Sequence, residues 1–370
     1  MSCDFLSLAL PGVQKLSPYV PGKPVDELAR ELGLNPAEII KLASNENPLG
    51  PAPLALKAIQ EALPELTRYP DGNGFELKQA LAARFSFDPS MITLGNGSND
   101  ILELLARSFV TPAHEVVFSE HAFAVYPIVT QAVGARPVVV PAKDWGHDLV
   151  AMADAITSAT QLIFIANPNN PTGTWIERAE FEAFMAKVPE RVLVVLDEAY
   201  TEYVDAADAL NGFDYIARYP NLVVSRTFSK AYGLAALRVG YCISSAVVAD
   251  VLNRVRQPFN VNSLALAAAV ASLSDASYLA ESRRVNREGM QQLEEGFRKL
   301  GLGWIVSRGN FIAVDVGREA APVYDNLLRQ GVIVRPVAGY GMPNHLRVSI
   351  GLAQENQHFL DALTRVLASE

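Results

Sequence analysis

Hydrophobic and polar positions along this chain follow two alternating rhythms. Helical spacing of apolar residues marks PLALKAIQEAL (53–63), FELKQALAARF (75–85) and NDILELLARSF (99–109). Between and after them lie short apolar runs: MITLG, EVVFS, RPVVVPA, QLIFIA, RVLVVLD, NLVVS and VGYCIS. These seven runs do not alternate with polar residues, so each predicts a strand buried on both faces. Strands of that kind, separated by helices, predict a mostly parallel seven-stranded α/β sheet flanked by helices. The last third changes character. A long amphipathic helix is predicted over about 277–300, followed by WIVSRGNFIAVDV, VIVRPV, LRVSI and a closing helix, which together read as a smaller α+β domain. At the head, Pro11, Pro18, Pro21 and Pro24 predict an extended arm without helix. A short helix VDELAREL then stops at Gly33, and IIKLASNENPLGP reads as a strand entering a polar loop. The expected division is 1–46 for the arm and the start of the small domain, 47–262 for the large domain and 263–370 for the small one, with the boundary near 259–263.

The 370 residues exceed what one core covers, in agreement with two domains. A net charge of −9 argues against a general nucleic-acid binder, which carries a basic face. No run reaches the roughly 18 apolar residues of a membrane span, and the first residues lack the basic segment of a secretory signal. Two cysteines without a CxxC, and five scattered histidines, give neither a disulfide framework nor a metal motif. The expectation is a cytoplasmic, metal-free protein that binds neither nucleic acid nor membrane.

Ligands of open α/β sheets bind outside the carboxyl ends of the strands, and four motifs fall there. LGNGSND (94–100) follows a strand and opens a helix. Its Gly97, Ser98 and Asn99 suit a phosphate, or a simple turn in which Ser98 or Asn99 caps the helix. ANPNNPTG (166–173) is a rigid loop that holds Asn170 at a strand end, as a ligand donor or a plain turn. LVVLDEAYTEY (193–203) ends an apolar strand on Asp197, a costly place for a carboxylate without a cationic partner, with Tyr200 three residues on. In VVSRTFSKAYGLAALRVGY (223–241), Thr227, Ser229 and Lys230 follow a strand. Lys230 sits among apolar residues, as a nucleophile of lowered basicity or a snorkelling side chain. Arg238 offers a planar fork to a phosphate. Together these residues fit one ligand. Pyridoxal phosphate needs a lysine for its aldehyde, an acid for its ring nitrogen, donors for its phenolate oxygen and an anion site.

NPNNPTG, LDEAY and SKAYGLAALRVG resemble the fold-type I, class II-like aminotransferases. LSPYVPGKPVDELARELG, IIKLASNENPLGP and LTRYPDGNG narrow the resemblance to the histidinol-phosphate aminotransferase family, over essentially the whole chain. The resemblance implies that Lys230 carries the cofactor and that Asp197 pairs with its ring nitrogen. It implies that Tyr200 and Asn170 bond the phenolate oxygen. Gly97, Ser98, Asn99, Thr227, Ser229 and Arg238 would surround the phosphate. Phe123 matches the stacking aromatic, often tyrosine in relatives. Tyr69 matches a tyrosine that reaches the neighbouring subunit's phosphate, which implies an obligate homodimer. Arg347 matches the carboxylate-binding arginine, and Arg335 and Tyr19 match substrate-phosphate positions. The implied substrates are histidinol phosphate and glutamate, with 2-oxoglutarate as the partner oxo acid. An aromatic aminotransferase, a phosphothreonine decarboxylase and a non-enzymatic regulator share the pattern. The regulator would need an added DNA-binding domain, for which no length stands before Tyr19.

Overall fold

The computed structural model describes residues 3–204 and 209–368. All seven predicted apolar runs pair in one sheet. Numbered after a short strand β1 (Ile40–Lys41), they are β2 (Ile92–Gly95), β3 (Glu115–Ser119), β4 (Arg136–Val140), β5 (Thr160–Ala166), β6 (Leu193–Asp197), β7 (Leu222–Thr227) and β8 (Gly240–Ile243). Their spatial order is β2-β8-β7-β6-β5-β3-β4, and only β8 runs antiparallel to its neighbours.

The continuous apolar runs have a direct structural cause. Ile163, Ile165, Val194, Leu196, Leu222 and Val224 face one core. Leu162, Phe164, Leu193, Val195 and Val223 face a second core on the opposite side of the same sheet. Pleating sends alternate side chains to opposite faces, and both faces of these central strands are covered, so apolar residues fill most positions. Edge strand β4 departs from the expectation of burial on both faces, with Arg136, Pro137 and Val139 exposed. Each fully buried Leu, Ile, Val or Phe contributes about 1.5–3 kcal/mol.

The smaller unit joins β9 (Gly303–Ile305), β10 (Phe311–Asp315), β12 (Arg335–Pro336) and β13 (His345–Ser349) in the antiparallel order β12-β13-β10-β9. Helices Ala276–Lys299, Ala320–Arg329 and Ala353–Ala368 cover it over a core of its own. β11 (Val332–Ile333) pairs parallel with β1, with Ile40 opposite Val332. The loop after β1 is thereby tied to the small unit from the far end of the chain.

Two details differ from expectation. The arm contains two single-turn helices, Phe5–Leu8 and Pro11–Gln14. Pro11 begins the second one, because proline at the first helical position forfeits only an N–H that has no partner there anyway. Helix Ser263–Ser274 buries Ala265, Ala268, Ala269 and Leu273 in the core of the large sheet. A division after residue 262 would cut that helix from its packing partners. We propose a boundary at Asp275, whose carboxylate caps the next helix by accepting from the Tyr278 N–H at 3.0 Å.

Candidate active site

Parallel strands β5, β6 and β7 end side by side, with Ala166 opposite Asp197 and Asp197 opposite Ser225. Beyond these ends a cleft with about 930 Å³ of empty space opens between the large sheet and the small unit. Ser98, Asn99, Phe123, Asn170, Asp197, Tyr200, Thr227, Ser229, Lys230 and Arg238 line it from the large domain. Arg335, Arg347 and Tyr340 line it from the small unit, and Tyr19 from the arm. Gly97 lies just behind, against the Arg238 guanidinium. Tyr69 is not brought to this cleft. It is 82% exposed, and its ring stacks on Phe259 at 4.8 Å.

At the deep end of the cleft, Asp197 terminates β6 with its carboxylate buried. Oδ2 accepts from the Tyr126 hydroxyl at 3.0 Å, while Oδ1 has no hydrogen-bond partner among the described residues. Burial pushes this acid up to about 6, against the downward pull of the Tyr126 bond, the nearby Ala199 N–H and Lys230. A carboxylate oxygen held dry and unpaired is a socket for a cationic N–H.

The Lys230 amine donates to the Ser44 carbonyl at 3.0 Å. Burial, then the charges of Arg347 and Arg238, lower it to about 7 from an ordinary 10.5. Near neutral pH a large share of these amines is uncharged, the form that attacks a carbonyl carbon. Snorkelling is thus not what Lys230 does, since its amine is directed inward.

A set of donors suited to an anion gathers on the β8 side. Helix Ser98–Phe109 begins at Gly97, which has φ 81° and ψ 168° and provides no side-chain cap. The alternative of a Ser98 or Asn99 cap is not realised, and the helix start at Ser98 and Asn99 lines the cleft. That backbone region is essentially closed to side chains, and a Cβ at Gly97 would strike the Arg238 guanidinium. A Cβ at Gly240 would meet the Ser98 nitrogen at 2.6 Å, so this glycine lets β8 lie against the helix start. Arg238, itself left-handed at φ 55°, donates to the Ser229 hydroxyl at 3.2 Å. Thr227 Oγ1 accepts from the Ser229 N–H at 3.1 Å. Anion donors therefore converge from a helix start, a strand end and a guanidinium.

Phe123 stands half-buried in the cleft with its ring edge-on to Tyr126 at 5.9 Å. Arg347 is buried on β13. It donates to Asn170 Oδ1 and to the Ala43 carbonyl, each at 2.6 Å, and its Nε has no partner. Arg335 donates to the Val20 carbonyl at 2.8 Å and packs over the Tyr19 ring at 5.5 Å. The arm and the small unit thus share one cation at the outer end of the cleft.

Sequence reasoning missed Tyr126, Asn45 and Tyr340. Tyr126 follows Phe123 by three positions at a helix start, so the two share a face; that spacing was its only signal. Asn45 belongs to the SNENP run and has a left-handed φ of 54°, a conformation that asparagine tolerates better than most residues.

The donor set fits pyridoxal phosphate: the orphaned Asp197 oxygen suits a pyridinium N–H, Lys230 an aldehyde, and the anion donors a phosphate. This is the constellation of a vitamin-B6-dependent transferase, and the chain belongs to the aminotransferase class I and II family, which matches residues 37–363. Among curated relatives, histidinol-phosphate aminotransferase 2 of Pseudomonas fluorescens is 70% identical over 368 residues, covering 100% of both chains. Its namesake from Pseudomonas aeruginosa is 69% identical, covering 99% of this chain and 100% of the relative. Among solved structures, histidinol-phosphate aminotransferase from Sinorhizobium meliloti in complex with pyridoxal-5'-phosphate superposes with a TM-score of 0.90 at 33% identity, over 97% of each chain. An aspartate aminotransferase from Thermus thermophilus with maleate, at 22% identity and a TM-score of 0.81, shares the fold. The fold expected from sequence, the aminotransferase family and the cofactor all stand on these findings together.

Proposed function

We propose that this enzyme moves an amino group between histidinol phosphate and 2-oxoglutarate, and in the biosynthetic direction from glutamate to imidazole-acetol phosphate. The observation that carries this reading is one cleft holding a near-neutral amine at Lys230, an unpaired buried acid at Asp197 and the guanidinium groups of Arg335 and Arg347. The full-length likeness to enzymes named for that substrate supports it.

Pyridoxal phosphate, when bound, supplies an aldehyde for the amine and a ring that accepts electrons from the substrate's amino-bearing carbon. Lys230 would hold the cofactor through its aldehyde, and its amine, when free, would carry the proton to and from the substrate's amino-bearing carbon. Asp197 would keep a proton on the ring nitrogen through Oδ1, while Tyr126 fixes the other oxygen. Gly97, Ser98, Asn99, Thr227, Ser229 and Arg238 would hold the phosphate. Tyr200 and Asn170 would serve the phenolate oxygen, and Phe123 the ring.

Arg347 would take a substrate carboxylate, and Arg335 with Tyr19 the distal anion of either substrate. Histidinol phosphate has a phosphate and no carboxylate, whereas glutamate has two carboxylates, and guanidinium forks pair with both groups. One outer pocket therefore serves both halves of a ping-pong cycle. We further propose a homodimer in which Tyr69, exposed and remote from its own cleft, completes the site of a second copy. A cytoplasmic location belongs to the same proposal; no single helix among the described residues is long and apolar enough to cross a membrane.

Arg335→Ala is expected to lower kcat/KM for histidinol phosphate by about 10- to 100-fold, the worth of a hydrogen bond to a charged group. Phenylalanine, which has no phosphate, should be affected only a few-fold. Equal losses on both substrates, or phenylalanine as the better substrate of the parent enzyme, would overturn the assignment.

A further inference from the structure

The hydrogen-bond inventory around Asn45 fixes more than a loop. Its backbone N–H donates to Ser349 Oγ at 2.8 Å, and Ser349 Oγ donates its own proton back to Asn45 Oδ1 at 3.2 Å. Asn310 Nδ2 holds the Asn45 carbonyl at 3.0 Å. The remaining group, Asn45 Nδ2, donates to the Tyr200 hydroxyl oxygen at 3.0 Å. Asn45, Ser349 and Asn310 are all buried, so none can exchange a partner for water. Turning the Asn45 amide over would leave the Ser349 proton facing an N–H, a buried loss of about 1–3 kcal/mol. The amide is therefore held with its donor toward Tyr200. An oxygen that accepts from Asn45 must point its own proton elsewhere, and Tyr200 lines the cleft.

We propose that Asn45 is a positioning residue that aims the Tyr200 proton into the cleft, at the phenolate oxygen of the cofactor. The inference rests on the reading that Tyr200 faces that oxygen. It adds that the direction of the proton is set from the small unit, through Ser349 on β13. Arg347 lies two positions earlier on the same strand face and grips the same loop at the Ala43 carbonyl. One strand thus carries both the anion-binding guanidinium and the hydroxyl that orients Asn45.

The test uses the holoenzyme without substrate and follows the visible absorbance of the bound cofactor against pH. This absorbance reports how tightly the nitrogen contributed by Lys230 holds its proton. A hydrogen bond from Tyr200 to the phenolate oxygen draws charge from it and lowers that pH. Tyr200→Phe, the reference, is expected to raise the transition by about one pH unit. Asn45→Asp is isosteric, tolerates the left-handed backbone, and replaces the donor by an acceptor that draws the Tyr200 proton away. It is expected to raise the transition by about one pH unit as well. A new carboxylate also acts directly through its charge, and the double variant separates the two effects. Charged groups facing Tyr200 are Arg347, Asp197 and Lys230, with the Tyr340 phenol nearby, and all are retained. If the proposal holds, the Asn45→Asp shift largely disappears in the Tyr200→Phe background, and Ser349→Ala, which adds no charge, gives a smaller shift of the same sign. An equal Asn45→Asp shift in both backgrounds, or none in either, overturns it. A Tyr200→Phe variant that titrates like the parent overturns the reading of Tyr200 and this inference with it.

Discussion

Lys230→Ala is expected to lower steady-state transamination by about 10⁴-fold or more, since it removes both the covalent anchor and the proton carrier. Borohydride treatment of the parent holoenzyme should fix the cofactor to the peptide that contains Lys230, and no labelled peptide should arise from the variant. The environment that makes Lys230 reactive also costs stability. Its folded pKa of about 7 lies below its ordinary 10.5, so between those values the unfolded chain binds more protons than the folded one. The cost of burying the ammonium is full below pH 7, shrinks as pH rises through that window, and is gone above it. Lys230→Met should therefore stabilise the cofactor-free protein against denaturant at pH 7 or below, with the gain fading toward pH 10.5. A gain that does not fade with pH would mean better packing rather than removal of a buried charge.

Asp197→Asn is expected to lower kcat by about 10³-fold, the scale of losing one preorganised charge partner in a dry site. KM should change much less. In the parent, Tyr126 occupies one carboxylate oxygen and the other is unpaired. In the amide, the oxygen keeps the Tyr126 bond and the NH₂ turns toward the ring nitrogen. That group cannot accept, so the nitrogen loses its proton and the ring loses its pull on electrons. The two oxygens also predict an order of severity. Tyr126→Phe removes only the orienting bond and should cost less than Asp197→Asn. Comparable losses in the two variants would mean that Asp197 acts chiefly as a structural partner of Tyr126.

The sheet was legible in the sequence because burial on both faces writes itself as unbroken apolar runs, and all seven runs became strands of one sheet, although RPVVV forms the exposed edge strand β4. The strand-end residues were legible for a related reason. A carboxylate or lysine at the end of a strand such as LVVLD or NLVVS lies in a costly place, and a costly place needs a use. The arm was read from prolines as breakers, although proline also starts helices, and Pro11 does so. The boundary proposed at Asp275 was hard to read because helix Ser263–Ser274 is apolar almost throughout, so its composition does not say which core it joins.

What stayed hidden were the contacts made by distant chain. Asn45 meets Ser349 at a separation of 304 positions and Tyr200 at 155. Both contacts depend on β1 pairing with β11, two residues against two, which no local pattern announces. Tyr126 was hidden differently. A tyrosine on a helix start packs in most proteins, and only the register of β6 brings Asp197 within reach of its hydroxyl. Tyr69 lies on the exposed surface of this chain, and the role proposed for it needs a second copy.

The most direct test of the account follows the amino nitrogen itself. Histidinol phosphate labelled with ¹⁵N at its amine is incubated with the holoenzyme and unlabelled 2-oxoglutarate, and the products are read by mass spectrometry. The account predicts ¹⁵N-glutamate and imidazole-acetol phosphate in equal amounts, and none of either with Lys230→Ala. Label released as ammonia, or glutamate labelled from ¹⁵N-phenylalanine and not from histidinol phosphate, would contradict it.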